Sequence, residues 1–127
     1  LPILRFGKVD FIDSATPAYR DSAYLQRELG YYNVGGGCHE LVMPGVDKGS
    51  GLRLLAKRIG RDLPDGFRRM RTYAFGDSEN DLAMFEAADV SVAMGQAVPH
   101  VRKAADYVTD SCAEDGVATA LEALGLI

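Results

Sequence analysis

From residue 45 onward, helical and strand patterns alternate along the chain, and this alternation constrains the fold more than any other feature. The patterns predict, in order, helix, strand, helix, strand, helix, strand and helix. Strands that alternate with helices form a parallel sheet that is covered by those helices. The sequence therefore predicts an α/β fold, with a partial Rossmann-like parallel sheet and flanking helices.

Apolar periodicity and helix-breaking residues place the individual elements of this part. The first helix begins at Lys48 and ends at Gly60. Its apolar residues recur at helical spacing and form one stripe: Leu52, Leu55, Ala56 and Ile59. Strands are predicted over 70–75, 90–94 and 107–109. Further helices are predicted over 82–88, 98–105 and 116–124, the last with inward residues Val117, Leu121 and Leu124.

The residues before 44 show a different order of elements. We predict a strand over 4–12, a helix over 17–29 with Thr16 as its N-cap and Tyr24 on its inner face, and strands over 31–34 and 38–43. Gly35, Gly36 and Gly37 join the last two strands, and no helical pattern follows them directly, which favours a hairpin tip over a phosphate cradle. The Pro-Gly pair at 44–45 marks a boundary between a domain over 1–43 and a domain over 44–127.

Composition and charge exclude several classes of partner. Apolar residues make up 47% and charged residues 25% of the chain, as in ordinary globular proteins. The net charge of −4 argues against a nucleic-acid partner or an anionic membrane surface. No apolar run reaches membrane-spanning length and no signal-peptide pattern opens the chain, so we expect a cytoplasmic protein. Cys38 and Cys112 are expected to be free thiols, buried or half-buried, in a reducing compartment.

The most informative segment is the acidic turn Gly76-Asp77-Ser78-Glu79-Asn80-Asp81, which follows a predicted strand directly. Ligands of parallel sheets bind at the carboxyl ends of the strands. Asp77 and Asp81 supply carboxylates and Asn80 an amide, and Mg²⁺ prefers hard oxygen ligands of this kind. Alternatively, Asp77 or Ser78 caps the following helix and Asp81 complements its dipole, and both interpretations can hold together.

Lys48 is the second candidate, because it begins a helix within a glycine-containing segment. Unpaired N–H groups and the helix dipole favour an anion at this position, where an ammonium group can hold a phosphoryl oxygen. The alternative is a solvated lysine at a helix end. The segment is not a P-loop, because the GxxxxGK[ST] spacing is absent.

Three stretches of the chain together resemble one known family. They read, in order, GVDKGSGLRLLAKRIG, YAFGDSENDLAMFEAADVSVAMGQAVPHVRKAADYVT and DGVATALEAL. They resemble the C-terminal half of Cof-type phosphatases, which belong to the haloacid dehalogenase-like (HAD) superfamily. The resemblance covers roughly residues 40–125. Residues 1–43 resemble, less closely, the end of the α/β cap that these enzymes insert into their core.

The resemblance implies a magnesium-dependent phosphatase that hydrolyses phosphate monoesters of sugars or similar small metabolites. Lys48 matches the family's phosphate-binding lysine, and Asp77 matches its principal acidic Mg²⁺ ligand. Asn80 matches an asparagine that contacts phosphate or metal-bound water. Asp81 matches the second acid, which is a metal ligand or an outer-shell support. The implied catalytic set is thus Lys48, Asp77 and Asp81.

One departure from the family pattern is serious. The family's nucleophile and general acid form a DxDGT-like motif, but no two aspartates of this chain are spaced i, i+2. Asp10 and Asp13 come nearest, and on opposite faces of a strand their side chains would not converge. We therefore expect this chain alone to be inactive.

The missing motif leaves other interpretations and a structural expectation. A non-catalytic binding or regulatory module that retained the HAD scaffold is one alternative, and a receiver-like phosphate protein on a doubly wound sheet is another. The strand over 70–75 would normally pair with a strand that is absent here, and an exposed apolar edge promotes association. We therefore expect a homo-oligomer, an exchange of elements between chains, or marginal stability.

Overall fold

The computed structural model describes residues 8–62 and 70–127, except for the side chains of residues 61 and 62. The chain divides into two compact units, Leu1–Asp47 and Lys48–Ile127. Within the described ranges, each unit contains a three-stranded sheet. The sequence placed the boundary between residues 43 and 44, and the assignment of the two parts to a cap and a core remains a prediction.

The first unit is an antiparallel sheet accompanied by two short helices. Its elements are β1 (Lys8–Ile12), α1 (Thr16–Arg20), α2 (Ala23–Glu28), β2 (Gly30–Gly35) and β3 (Cys38–Val42). The strand order is β1-β3-β2, and both pairings are antiparallel. Gly35, Gly36 and Gly37 have φ of 85°, 61° and 75°, which confirms the predicted hairpin tip. The part of the predicted first strand that precedes Lys8 lies outside the described residues.

The single helix predicted over 17–29 is wrong, because the structure has two helices there. The Ser22 side chain accepts a hydrogen bond from the Leu25 N–H at 3.2 Å and so begins α2 as its N-cap residue. Thr16 is the first residue of α1 and not its N-cap, a position that Ala15 occupies. Tyr24, which was predicted on the inner face, is 64% exposed.

The second unit confirms the predicted α/β alternation. Its elements are α3 (Lys48–Asp62), β4 (Tyr73–Gly76), α4 (Leu82–Ala87), β5 (Val90–Ala93), α5 (Pro99–Ala104), β6 (Tyr107–Val108) and α6 (Gly116–Ala123). The sheet is parallel with the order β4-β5-β6. Gly76 pairs with Ala93, which in turn pairs with Val108, so the three strands end at the same edge of the sheet.

In this unit the buried residues lie mainly on and beside the sheet, whereas the apolar stripes predicted on the helices remain partly exposed. The buried core consists of apolar residues on the sheet, on α4, on α5 and in the loop between β5 and α5: Ala74, Phe85, Ala93, Ala97 and Val101. Leu55 and Ile59 on the predicted stripe of α3 remain 55% and 42% exposed. In α6, Val117 is exposed and Ala120 is buried, so the predicted inward face was wrong at Val117.

The amino-terminal ends of the strands are held by two similar polar contacts. The tripeptide Ala-Ala-Asp precedes both β5 and β6. Oδ2 of Asp89 accepts from the N–H and hydroxyl of Thr72 at 2.7 and 2.8 Å, and Oδ2 of Asp106 accepts from the N–H and hydroxyl of Ser91 at 2.8 and 2.7 Å. These bonds, the backbone N–H first in each case, lower the pKa of both carboxyl groups. They fix one strand to the next at the edge opposite the acidic turn.

Two expectations drawn from composition can be compared with the structure. Cys38 and Cys112 are free thiols as predicted, but both are exposed, so the predicted burial is wrong. Within residues 8–62 and 70–127, no helix combines the length and the apolar character that crossing a bilayer would require.

Candidate active site

Two glycines permit close packing around the acidic turn, one between α3 and α4 and the other between the end of β4 and Asp81. A side chain at Gly49, in the first turn of α3, would place its Cβ 2.1 Å from the carbonyl oxygen of Ala83 in α4. A Cβ at Gly76 would lie 2.5 Å from the Cβ of Asp81. Both positions therefore require glycine, and the close packing that they permit places Lys48 beside the acidic turn.

The Asp81 carboxylate organises the turn. The Asp81 side chain is buried, with 5% of its surface exposed. Its Oδ2 accepts hydrogen bonds from the backbone N–H groups of Asp77 and Ser78 at 2.9 and 3.0 Å. Its Oδ1 lies 2.5 Å from Nζ of Lys48. A buried carboxylate needs such hydrogen-bond partners, because its charge is no longer solvated by water. Here these partners connect the acidic turn to the start of α3.

Lys48 is held in place and is not a freely solvated lysine. Its ammonium group donates to Oδ1 of Asp81 and, at 3.2 Å, to Oδ1 of Asn80. The Lys48 side chain nevertheless keeps 47% of its surface exposed. The structure thus presents an oriented cation to solvent at the carboxyl end of β4.

Asp77 joins this cluster through the hydrogen bond from its backbone N–H to Asp81, and its carboxylate has two donors of its own. Oδ1 accepts from the Ser78 hydroxyl at 3.0 Å, and Oδ2 accepts from Nε2 of Gln96 at 3.2 Å. Gln96 lies in the loop that follows β5, and sequence reasoning missed it. Its position two residues after the predicted strand over 90–94, at the carboxyl end of that strand, was the available signal.

The carboxylate oxygens of Asp77 suit part of the ligand shell of a magnesium ion. Among the residues that the structure describes, no group of three or more His, Cys, Asp or Glu side chains could hold a metal ion. Mg²⁺ commonly takes one or two carboxylates and completes its shell with water and substrate phosphate. Each oxygen of Asp77 accepts one of the hydrogen bonds described above and has two lone pairs. Asp81 is more heavily engaged, because three donors already converge on its two oxygens.

The structure thus brings together all four residues that the sequence singled out. The Lys48 ammonium group donates hydrogen bonds to Asn80 and Asp81. The backbone N–H of Asp77 donates a hydrogen bond to the Asp81 carboxylate. All of them belong to the second compact unit. Their roles in binding metal and phosphate remain predictions.

Comparison with known proteins identifies the family. A family model for haloacid dehalogenase-like hydrolases matches residues 9–121. Because this match covers most of the chain, the chain belongs to the haloacid dehalogenase-like hydrolase family. The resemblance stated from the sequence is therefore confirmed.

Curated relatives and solved structures agree with this assignment. The chain is 38% identical over 109 residues to the phosphoglycolate phosphatase of Methanothermobacter thermautotrophicus, covering 86% of this chain and 44% of the relative. It is 40% identical over 77 residues to the 5-amino-6-(5-phospho-D-ribitylamino)uracil phosphatase YcsE of Bacillus subtilis, covering 61% of this chain and 28% of the relative. The chain thus spans less than half the length of these relatives.

Two solved structures show the same architecture. A haloacid dehalogenase-like hydrolase from Bacteroides thetaiotaomicron aligns with a TM-score of 0.72 and 34% identity, over 95% of this chain and 45% of that one. The HAD subclass IIB sugar phosphatase BT4131 aligns with a TM-score of 0.73 and 26% identity, over 95% of this chain and 44% of that one. Both alignments agree with the α/β fold described above.

Proposed function

We propose that this chain supplies the phosphate-binding lysine and the metal-binding acid of a Mg²⁺-dependent phosphatase for small phosphate monoesters such as sugar phosphates. The observation that carries the proposal is the hydrogen-bonded cluster in which Asp81 joins Lys48 to Asp77 at the carboxyl end of β4. The phosphatase names of the relatives, one of them a sugar phosphatase, support the reaction class and the substrate class.

Lys48 would bind and orient the phosphoryl group. An ammonium group has three N–H donors, and two of those of Lys48 point at Asn80 and Asp81. The third can donate to a phosphoryl oxygen on the solvent side. Because the other two bonds already fix the ammonium group, little reorganisation is needed as charge develops on that oxygen.

Asp77 would hold Mg²⁺. The bound ion would neutralise phosphate charge and orient the ester, which is what divalent cations contribute to phosphoryl transfer. The amide of Asn80, a buried residue beside the ammonium group of Lys48, would contact phosphate or metal-bound water. Asp81 would act mainly by holding Lys48 and the turn in position.

The transfer step itself needs a carboxylate that accepts the phosphoryl group and an acid that protonates the leaving alcohol. The sequence contains no aspartate pair with the i, i+2 spacing of the family motif. We therefore propose that the chain by itself binds Mg²⁺ and phosphate without turning over an ester.

Binding of inorganic phosphate with and without Mg²⁺ tests the proposal. Calorimetric titration of the wild-type chain should show tighter phosphate binding when Mg²⁺ is present. Lys48→Ala should weaken phosphate binding, and Asp77→Ala should abolish the effect of Mg²⁺. Lys57→Ala is the matched control, because Lys57 is an exposed lysine of the same helix. If Lys48→Ala and Lys57→Ala bind phosphate equally well, the proposed role of Lys48 is wrong.

The same missing motif favours a second candidate, a non-catalytic module that binds a phosphorylated metabolite. Hydrolysis of p-nitrophenyl phosphate by the full-length protein separates the two. Turnover that Asp77→Ala abolishes supports the phosphatase, and binding without turnover supports the module.

A further inference from the structure

The loops that follow the three parallel strands of the second unit meet beside Asp77. Gly76 at the end of β4 pairs with Ala93 at the end of β5, and Ala93 pairs with Val108 at the end of β6. Hydrogen bonding between β4 and β5 continues one residue beyond β5, where the Met94 N–H donates to the Gly76 carbonyl at 2.9 Å. The sheet therefore delivers residues from separate loops to one place.

Gln96 connects these loops through both ends of its side-chain amide. Nε2 donates to Oδ2 of Asp77 at 3.2 Å, and Oε1 accepts from the backbone N–H of Cys112 at 3.0 Å. An amide whose carbonyl and amino groups are both engaged cannot flip without losing both bonds. Its amino group is therefore kept pointing at Asp77.

The loop that supplies the Cys112 N–H is itself held by hydrogen bonds. Oγ of Ser111 donates to Oε2 of Glu114 at 2.6 Å, and the Gly95 N–H donates to the carbonyl oxygen of Asp110 at 3.0 Å. A Cβ on Gly95 would approach the backbone nitrogen of Ser111 to 2.8 Å, so only glycine permits this approach of the two loops. Gln96 is thus fixed from its far side.

We propose that Gln96 is a positioning residue that holds the Asp77 carboxylate in the orientation that binds the divalent cation. This inference rests on the proposed function, in which Asp77 is the metal ligand. The hydrogen bonds from Ser78 and Gln96 occupy one acceptor site on each oxygen and restrict rotation about the Cβ–Cγ bond. A ligand that is already oriented loses less freedom when the cation binds.

The test uses Mn²⁺ as a paramagnetic probe of the ¹⁵N-labelled chain, with Mg²⁺ as competitor. The measured quantity is the Mn²⁺ concentration that half-broadens the backbone amide resonances of Asp77 and Ser78. Gln96→Met keeps the length of the side chain and removes the amide. It should raise this concentration about tenfold, as loss of a partner behind a metal ligand typically does.

Gln26→Met is the matched control. The Gln26 amide donates to the carbonyl oxygens of Tyr19 and Arg20 at 3.2 and 2.6 Å, in the other compact unit. The same chemical change there should alter thermal stability about as much as Gln96→Met and leave the Mn²⁺ concentration unchanged. Gln96→Asn, one methylene shorter, cannot span both partners and should behave like Gln96→Met, which provides a second variant if the first folds poorly.

The outcomes separate this inference from the function on which it rests. If Asp77→Asn raises the Mn²⁺ concentration and both Gln96 variants match the wild type, the positioning role is wrong and the proposed metal ligand stands. If Asp77→Asn also matches the wild type, the metal assignment fails and the role of Gln96 fails with it. A rise for Asp77→Asn, Gln96→Met and Gln96→Asn, but not for Gln26→Met, supports both proposals.

Discussion

Replacement of Asp81 should damage the second unit more than replacement of any exposed acid in the same turn. Asp81→Ala removes a buried acceptor that serves two backbone N–H groups and the ammonium group of Lys48. Nothing in alanine replaces these acceptor sites, so the turn between β4 and α4 loses its internal support. Glu79→Ala is the matched control, since Glu79 is an exposed acid in this turn.

The magnitude follows from the three contacts. Each of the two backbone N–H groups left without its acceptor costs about 1–2 kcal/mol, because both residues are only partly exposed and water can replace some of the loss. The ion pair with Lys48 adds at most about 1 kcal/mol, because the Lys48 side chain is nearly half exposed and solvent screens the interaction. Asp81→Ala should therefore lower the free energy of unfolding by about 2–5 kcal/mol in total.

Urea denaturation followed by circular dichroism measures this difference. Glu79→Ala should change the free energy of unfolding by less than about 0.5 kcal/mol, as expected for an exposed side chain. Asp81→Asn should fall between the two, because its amide oxygen can still accept from the backbone while its amino group faces the lysine. Equal unfolding midpoints for Asp81→Ala and Glu79→Ala would refute the structural role given to Asp81.

Three further predictions concern packing, acid stability and association. Gly49→Ala should destabilise the chain by about 1–3 kcal/mol in urea denaturation, because the new Cβ would overlap a carbonyl oxygen of α4. Gly51→Ala in the same helix is the control. Its Cβ meets no atom within 4 Å, so it should stabilise the chain by about 0.5–1 kcal/mol. The pKa values of Asp89 and Asp106 lie below the ordinary 3.8. The stability that these groups add is therefore present above pH 3.8 and is lost as the pH falls through their folded-state pKa values. Urea unfolding midpoints measured between about pH 6 and pH 2 should show this loss. Leu55 is 55% exposed within an apolar stripe, so we expect the chain to associate as its concentration rises. Size-exclusion chromatography with light scattering should show this association, and Leu55→Lys should reduce it. A clean monomer at all concentrations would contradict the expectation.

The sequence predicted those features that depend on local patterns. Alternating helical and strand periods gave the parallel sheet, and a glycine followed by an acidic turn placed the candidate site at a strand end. Local patterns were insufficient where a single side chain competes with the helix. Ser22 accepts a hydrogen bond from the Leu25 N–H and starts a second helix, although the apolar residues around it are compatible with one continuous helix.

Contacts between distant parts of the chain were beyond local reasoning. The periodicity of α3 predicts a helix with an apolar stripe, but it does not show that Leu55 and Ile59 on this stripe remain exposed. Gln96 approaches Asp77 only because β4 and β5 pair in a particular register, with Gly76 opposite Ala93. The spacing of 19 residues between Gln96 and Asp77 carries no signal without that register.

A crystal structure of the chain with Mg²⁺ and inorganic phosphate tests the shared site most directly. The proposed function predicts an ion about 2.0–2.1 Å from a carboxylate oxygen of Asp77, the usual Mg²⁺–oxygen distance. It also predicts that one phosphate both coordinates this ion and accepts a hydrogen bond from the Lys48 ammonium group. Density that places the ion away from Asp77, or the phosphate away from Lys48, would contradict it.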